Sequence, residues 1–288
     1  MKDVKYFAPA TLPEALQLLE TYGPELSVLA GGTDLVRDMN LEFKVPQGIL
    51  WIGRLRLEYI KDEGSLIRIG GATRMQTAAS SPVLIEKAAA LARAAGKMAS
   101  PPVRSLATLG GNLVTASPAA DPGCALVGLR AEVVLNSTKG QRVVPLEDFY
   151  LGAKSTVISP DELLTEILVR PTQAGEGSSY LKIGRRQALT LAVLNATSRV
   201  KLDDLGMVEA ISIAVGAAAP TLLRIKSAEA MLTGQKLTEE AILEAGEIAA
   251  REIKPIDDVH GTAWYKRKIT PVLVARTLRE AGKMNGGV

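Results

Sequence analysis

The opening residues carry a helical pattern of apolar positions. Thr11 and Glu14 have the spacing of a capping box, in which two side chains bond to the first free amides of a helix. The apolar residues at 15, 16, 18 and 19 then form one stripe, which is typical of a helix that packs on a core. Gly23 and Pro24 follow this stripe, so the sequence predicts that the helix ends there.

Short apolar runs bounded by turn residues predict the strands of a first α+β unit. These runs are LSVLA (26–30), ILWI (49–52), LIRIG (66–70) and LLTEILV (163–169). An Ala- and Leu-rich stretch that opens at Ser81 predicts a single helix to about Met98. Residues 132–136 and 141–145 have the alternation and the intervening turn of a β-hairpin.

The polar, glycine-rich segment TQAGEGSS (172–179) predicts a boundary between two domains. We expect a first domain at 1–171, with subdomains of about 1–56 and 57–171, and a second at 176–288. In the second domain, residues 180–183, 191–202 and 208–218 predict an antiparallel meander, and helices are expected from Thr238 and from about Trp264 to Ala281.

Composition excludes several classes of protein. The 288 residues are 47% hydrophobic and 23% charged, which is enough apolar material for a full core. The polar N-terminus and the lack of a run of about 20 apolar residues predict no signal peptide, no membrane span and a cytoplasmic location. A net charge of +3 with 4% aromatic residues predicts that nucleic acid is not a partner.

The single cysteine and the single histidine limit the chemistry. An iron–sulfur cluster usually takes four thiolates, so this chain with only Cys124 cannot hold one alone. We interpret Cys124, in the run CALVGL, as a small buried hydrophobe and His260, in DDVHGTAWY, as a surface or capping residue. The sequence therefore predicts no metal site and no catalytic side chain.

Two segments combine glycines with small polar residues, VLAGGTDLV at 28–36 and ATLGGNLVTASPAADP at 107–122. Glycine permits positive φ and a close approach to the backbone, and consecutive amides on a tight turn form a nest for an anion such as phosphate. Thr33, Thr115 and Ser117 add hydroxyls, and the Asp121 carboxylate can bind sugar hydroxyls. Two nests predict a dinucleotide site, and ordinary tight turns between packed strands are the alternative.

With these segments, the sequence resembles the FAD subunits of molybdenum hydroxylases, a group that includes the xanthine dehydrogenase FAD domain and the carbon monoxide dehydrogenase medium subunit. The resemblance also rests on F-x-P-x-T-L-x-E-A (7–15), IGGATRM (69–75), PPVRSLATLGGN, LLTEILVRP and YLKIGRR. It implies an α+β fold: a two-subdomain FAD-binding domain of the vanillyl-alcohol-oxidase (PCMH) type, then a smaller α+β domain with an antiparallel sheet and helices.

The resemblance implies FAD as the cofactor and a role for each matching residue. The loop Ala30–Leu35 would hold the pyrophosphate, Asp121 a sugar or adenine-side group, and Leu164 and Lys182 would lie near the isoalloxazine ring. Arg185 and Arg186 would lie on a loop that controls access to the ring. The implied FAD-binding residues are Ala30, Gly31, Gly32, Thr33, Asp34, Leu35, Ile69, Gly70, Thr73, Thr108, Gly110, Gly111, Asn112, Thr115, Ser117, Asp121, Leu164 and Lys182.

The resemblance also implies an oxidoreductase subunit that works only with partner chains. Electrons would come from a 2Fe-2S small subunit and leave to NAD or another acceptor, while a molybdopterin large subunit would carry the substrate site. Two alternatives stay open: a freestanding flavin oxidoreductase of the same fold, and a scaffold subunit without a cofactor. One departure is the segment GKMASPP, which has Met98 where some relatives place a Phe against the ring.

Overall fold

The computed structural model describes residues 4–186 and 189–283. Its helices are α1 (Leu12–Tyr22), α2 (Leu35–Asn40), α3 (Met75–Ser80), α4 (Pro82–Lys87), α5 (Ala89–Lys97), α6 (Pro101–Arg104), α7 (Leu109–Thr115), α8 (Asp121–Gly128), α9 (Leu146–Phe149), α10 (Lys226–Leu232), α11 (Glu239–Glu252) and α12 (Ala263–Lys283). Its strands are β1 (Lys5–Phe7), β2 (Leu26–Leu29), β3 (Gly48–Trp51), β4 (Ile60–Asp62), β5 (Ile67–Gly70), β6 (Glu132–Ser137), β7 (Gly140–Pro145), β8 (Tyr150–Gly152), β9 (Ser155–Thr156), β10 (Leu163–Val169), β11 (Glu176–Ile183), β12 (Leu194–Leu202), β13 (Val208–Gly216) and β14 (Leu223–Arg224).

The N-terminal residues form a small parallel sheet in the order β1-β3-β2. Helix α1 begins as the sequence predicts, because the Thr11 hydroxyl accepts from the Glu14 amide and the Glu14 carboxylate accepts from the Ala10 amide. The buried face of α1 packs on Leu50 and Ile52 at the end of β3. The residues after β2 are therefore held at one edge of a packed sheet.

A second, five-stranded antiparallel sheet has the order β4-β5-β10-β6-β7. Its core also receives the helices α3, α5, α7 and α8. The hairpin predicted at 132–145 is confirmed as β6 and β7, and the strand predicted at 163–169 is confirmed as β10. Helix α8 is buried along its whole length because it packs between the helices α5 and α7 and the third sheet.

The third sheet is the predicted antiparallel meander, with the order β11-β12-β13-β14. Strand β11 starts at Glu176, which is earlier than the sequence suggested, because its first residues pair with the long strand β12. Helices α11 and α12 are confirmed near their predicted starts and cover this sheet. Helix α12 begins ahead of Pro271, so the proline does not set its start.

The prediction of one continuous helix from Ser81 to Met98 is wrong. The chain forms α4 and α5, separated at Ala88, whose φ of −150° and ψ of 49° are not helical. The Lys87 carbonyl accepts from both the amide and the hydroxyl of Thr172. This tertiary contact takes the carbonyl out of the helical hydrogen-bond pattern, and a sequence pattern does not show it.

Helices α11 and α12 lie in close backbone contact at Gly246, and this contact can be used to test the fold. A Cβ at Gly246 would lie 2.7 Å from the carbonyl oxygen of Pro271. Because backbone cannot yield as a side chain can, we expect Gly246→Ala to lower the free energy of unfolding by about 1–3 kcal/mol. Urea unfolding followed by circular dichroism measures this loss.

The matched control is Gly96→Ala in α5, where a Cβ would meet only the Ala79 methyl at 3.7 Å. Alanine is the better helix former, so this variant should match the parent protein or exceed it by up to about 1 kcal/mol. Equal stabilities of the two variants would contradict the close contact between α11 and α12.

Candidate functional site

The loop that follows β2 presents free backbone donors. Gly32 has a φ of 75°, which turns the chain from β2 into α2. Among the described residues, the amides of Gly31, Gly32 and Thr33 have no protein acceptor. Consecutive unpaired amides on a glycine turn are a suitable binding surface for an anion. The nest predicted from VLAGGTDLV stays a prediction, which these three free amides support.

The second glycine segment is built differently from the first. Thr108 caps helix α7, and its hydroxyl accepts from the Gly111 amide at 3.1 Å. The Leu109 amide bonds to the Thr73 carbonyl and the Gly110 amide to the Gly71 carbonyl, each at 2.9 Å. The amides of this segment are already satisfied, so the prediction of a second anion nest is wrong.

The glycines of the second segment serve close packing. A Cβ at Gly110 would lie 2.5 Å from the Gly71 oxygen, and a Cβ at Gly31 would lie 1.9 Å from the Leu106 oxygen. The Thr115 hydroxyl lies 3.2 Å from a carboxylate oxygen of Asp34. The contacts at Leu106 and Thr115 place the Ala30–Leu35 loop directly against α7 and the residues that lead into it.

A cavity of about 270 Å³ opens beside the free amides of the loop. Arg56 and Arg74 lie on its lining together with Trp51 and Glu58, and the Arg74 guanidinium is 3.4 Å from the Glu58 carboxylate. Sites for drug-sized ligands are commonly about 300–1,000 Å³. The cavity therefore suits one part of a long anionic ligand. The rest of that ligand would lie along the Ala30–Leu35 loop and α7.

Asn112 on α7 has an unused acceptor. Its Oδ1 atom is buried and has no hydrogen-bond partner among the described residues. A buried polar atom without a partner costs roughly 1–3 kcal/mol, so such atoms in native proteins have a reason. A ligand donor at this position would satisfy the oxygen.

Asp121 and Lys182 form a buried ion pair where the two α+β units meet. The Lys182 ammonium donates to Asp121 Oδ2 at 2.6 Å and to the carbonyls of Lys97 and Thr190 at 2.9 and 3.1 Å. The Tyr180 hydroxyl donates to Asp121 Oδ1 at 2.6 Å, and the Asn195 amide lies 3.2 Å from the same oxygen. All three ammonium protons are used within the protein.

The surroundings of this pair set its protonation. Burial raises the pKa of the Asp121 carboxyl, and the Lys182 ammonium together with the donors from Tyr180 and Asn195 opposes that rise. Burial and the nearby Asp121 charge raise the pKa of Tyr180 well above its usual value, which keeps its hydroxyl protonated as a donor. A sugar hydroxyl at Asp121 would have to share an oxygen with these protein donors.

The other predicted site residues lie at different depths. Ile69 and Thr73 are fully buried, and the Thr73 hydroxyl donates to the Tyr59 carbonyl at 2.9 Å. Leu164 is buried at the irregularity in β10, and Gly70 belongs to the adjacent strand. These residues support α7 from below. The Ser117 hydroxyl accepts from the Ala119 amide in the turn between α7 and α8.

The sequence pattern did not single out several residues of the site. Trp51, Arg56 and Leu106 line the cavity, and Tyr180 and Asn195 hold Asp121. Tyr180 lies in the quoted segment YLKIGRR, but nothing in that segment predicts a bond to Asp121. Cys124 is confirmed as buried, and burial raises the pKa of its thiol to about 12, which keeps it neutral.

The Ala30–Leu35 loop with its free amides, the cavity with its two arginines and the unpaired Asn112 oxygen together form the candidate site. Residues 2–171 match the family model of the FAD binding domain in molybdopterin dehydrogenase, and residues 179–281 match that of the CO dehydrogenase flavoprotein C-terminal domain. The chain belongs to the FAD-binding subunits of the molybdenum hydroxylase family. It is an oxidoreductase subunit of α+β fold, and its cofactor is FAD.

Individual relatives agree with this membership. The nicotinate dehydrogenase FAD-subunit of Eubacterium barkeri is 36% identical over 84% of this chain and 83% of its own. The carbon monoxide dehydrogenase medium chain of Hydrogenophaga pseudoflava is 33% identical over 96% of both chains. A solved structure of the latter enzyme, lacking the Mo-pyranopterin moiety, superposes with a TM-score of 0.92 at 34% identity over 96% of each chain.

Two features are absent from the described part of the chain. Over residues 4–186 and 189–283, no helix combines the length and the apolar character that a bilayer crossing requires. In the same ranges, no cluster of three or more His, Cys, Asp or Glu side chains is placed to hold a metal ion. Cytoplasmic location stays a prediction of the sequence.

The Asp121–Lys182 pair generates a prediction about stability. Lys182→Met leaves a buried carboxylate without its counter-ion, which costs about 3–5 kcal/mol in comparable cases. Adding Asp121→Asn should recover much of that loss, because the remaining amide carries no charge. Urea unfolding of the two single variants and the double variant gives the coupling free energy.

A surface pair is the control for this cycle. Lys139 and Asp161 lie 3.1 Å apart, and the lysine side chain is 76% exposed. Lys139→Met should cost less than about 1 kcal/mol. If Lys182→Met costs no more than Lys139→Met, the buried pair does not contribute to stability as described.

Proposed function

We propose that this chain is the electron-transfer subunit of a molybdenum-containing hydroxylase. It would accept electrons from a partner chain with 2Fe-2S clusters and pass them to NAD or another acceptor. Bound FAD supplies the redox chemistry, and the protein supplies binding, orientation and electrostatics. The observation that carries the proposal is the free-amide loop, which the Asp34–Thr115 contact joins to the helix that carries the unpaired Asn112 oxygen, in a chain of this family.

The residues present fit FAD. A diphosphate carries negative charge and needs several donors, which the amides of Gly31, Gly32 and Thr33 offer without breaking any protein hydrogen bond. Arg56 on the neighbouring cavity adds a cation. Asn112 Oδ1 would accept from a donor of the bound group. Thr115, Ser117 and the other residues named from the sequence stay predicted contacts.

An unpaired Lys182 ammonium near the ring would stabilise a reduced, anionic flavin through its positive charge. Its ammonium is paired with Asp121, so the pair together contributes little net charge to its surroundings. We therefore propose a positioning role for the pair. The pair joins α8 to β11 and so fixes how the two α+β units pack on each other. We propose that these units are two domains, 1–171 and 176–288.

The partners follow from the kind of relative that the chain matches. Similar proteins include a nicotine 6-hydroxylase medium subunit from Paenarthrobacter nicotinovorans, 28% identical over 97% of each chain. A medium subunit implies small and large partner subunits. We propose a 2Fe-2S small subunit as the electron donor and a molybdopterin large subunit as the place of substrate oxidation. No side chain of this chain is proposed as a nucleophile or proton donor.

The two alternative functions explain less. A scaffold without a cofactor gives no reason for three unpaired amides in the Ala30–Leu35 loop and an unpaired buried amide oxygen on α7. A freestanding flavin oxidase needs its own substrate-binding groups. Cys124 cannot serve as one, because burial keeps its thiol neutral and out of reach of a ligand. The subunit role accounts for the site without further groups.

Asn112 separates binding of FAD from folding. Because Oδ1 has no protein partner, Asn112→Ala should leave the free energy of unfolding of the FAD-free protein unchanged or raise it. The same change should weaken FAD binding about 5- to 15-fold, which corresponds to one hydrogen bond. Titration with FAD by isothermal calorimetry and urea unfolding without FAD measure the two effects.

Asn40→Ala is the matched control, since Asn40 is exposed at the end of α2 and near the same loop. It should change neither quantity. An Asn112→Ala variant that binds FAD as tightly as the parent protein would remove Asn112 from the site. If the parent protein does not bind FAD, the proposed function itself is contradicted.

The electron route has its own test. Purified FAD-loaded protein is mixed with the 2Fe-2S chain that is encoded with it, after that chain has been reduced with dithionite and desalted. We expect rapid bleaching of the yellow flavin absorbance, because the donor chain docks and transfers electrons. Flavin that stays oxidised with the reduced donor, while dithionite alone bleaches it, would contradict the proposed direction of transfer.

A further inference from the structure

A strained turn connects helices α5 and α6. Helix α5 ends at Lys97 and α6 begins at Pro101, so three residues make the connection. Ala99 in its middle has a φ of 42°, in the left-handed region that is unfavourable for a residue with a Cβ. We call residues 97–99 the Met98 turn. Strain of this kind persists only where the surrounding structure fixes it, and it is most often found at ligand sites.

The Met98 turn lies at the Lys182 end of the candidate site. The Lys182 ammonium, which also pairs with Asp121, donates to the Lys97 carbonyl at 2.9 Å. Met98 itself is half-buried and packs on the core of the first α+β unit. Because the sequence predicts that Lys182 lies near the ring of FAD, we expect the Met98 turn to be next to that ring as well.

Arg104 holds the Met98 turn through two consecutive carbonyls. Its Nη1 atom donates to the Met98 carbonyl at 2.9 Å and to the Ala99 carbonyl at 3.2 Å. Its Nε atom donates to Gln76 Oε1 on α3 at 3.3 Å. These three acceptors are neutral, so each bond is charge-assisted and stronger than a bond between two neutral groups. A side chain of α6 therefore supports the left-handed conformation of Ala99.

Arg104 also connects the two ends of the candidate site. It is the last residue of α6, two positions before Leu106, whose carbonyl packs against Gly31 in the free-amide loop. The backbone of Arg104 is thus fixed near the loop with free amides, and its side chain reaches the turn next to Lys182. A shift of the turn relative to that loop would break the bonds of Arg104.

The fork of donors on Arg104 favours a role in position over a role in charge. An arginine presents its N–H groups in fixed directions, and here they reach neutral acceptors on two different segments. Lysine brings the same charge on a flexible stem and cannot reproduce this pattern. The two roles are therefore separable, because Arg104→Lys keeps the charge and loses the fork.

We propose that Arg104 is a positioning residue for the FAD ring. It acts through the Met98 turn: the bonds to the Met98 and Ala99 carbonyls keep the turn in one conformation, so that Met98 shields one side of the ring from water. The inference rests on the proposed function, because it requires FAD bound at this site. Exclusion of water strengthens the electrostatic interactions between the ring and the fixed groups of the protein.

The test compares desalted, FAD-loaded parent protein with its Arg104→Met variant. Because the turn loses its two carbonyl bonds, we expect the ring to become more accessible and the iodide quenching constant of the flavin fluorescence to rise about twofold or more. The visible circular dichroism of the bound flavin should weaken as well, since it reports a fixed asymmetric environment. Neither measurement depends on catalytic activity.

Two variants serve as controls. Arg142→Met removes an arginine that also donates to a backbone carbonyl, that of Val157 at 2.8 Å, but lies on the edge strand β7. It should match the parent protein in both flavin measurements. Arg104→Lys keeps the charge without the fork, so it should behave like Arg104→Met.

Ala99→Gly separates strain from position. Glycine adopts a positive φ without the cost of a Cβ. In the Arg104→Met background, Ala99→Gly should therefore recover part of the lost stability in urea unfolding. It should not recover the shielding of the ring, because a glycine turn without the Arg104 bonds has more conformational freedom. The double variant, compared with Ala99→Gly alone, also provides a folded pair if Arg104→Met by itself is unstable.

Four results would overturn the assignment. Parental quenching and dichroism in Arg104→Met would show that the turn holds without Arg104. Parental values in Arg104→Lys would assign a role in charge, and their recovery by the added Ala99→Gly would assign a role in stability alone. An equal change in Arg142→Met would show a general loosening. In each case a parent protein that binds FAD keeps the proposed function, whereas a parent protein that binds no FAD contradicts that function itself.

Discussion

The site depends on backbone packed directly against backbone. The Gly71 carbonyl touches Gly110, and the Leu106 carbonyl touches Gly31, at distances that a Cβ would make impossible. The first contact holds α7 against the residue after β5, and the second holds the Ala30–Leu35 loop against the residues that lead into α7. The loop can then leave its amides unpaired, because the neighbouring backbone fixes its position and its own hydrogen bonds are not needed for that. Pre-formed donors of this kind lose little entropy when an anion binds.

A second constraint joins the two halves of the chain. Helix α8 is buried between the helices of the first unit and the third sheet, and Asp121 in its first turn takes donors from β11 and β12. A buried ion pair contributes less to stability than its short distances suggest, because both charges lose their water. Its satisfied geometry nevertheless disfavours any other relative placement of the sheets.

Elements with a strong local signal were predicted well from the sequence. The cap at Thr11, the β6–β7 hairpin, the β11–β13 meander and the cap at Thr238 are all determined by neighbouring residues. The helix predicted across Ala88 was wrong, because Thr172 takes a carbonyl that the local pattern assigns to the helix. The prediction of a second nest was wrong for the same reason, since the amides of Leu109 and Gly110 bond to carbonyls of another segment, at Thr73 and Gly71.

The sequence by itself determined the α+β class, the family and the loop after β2, because capping, alternation and glycine turns act over a few residues. Only the tertiary structure decided that Asp121 pairs with Lys182, that Asn112 keeps a free oxygen, and that Arg185 donates to the Val259 carbonyl. These features join residues far apart in the chain. Their energies depend on which groups packing brings within hydrogen-bond distance, and local propensity carries no information about that.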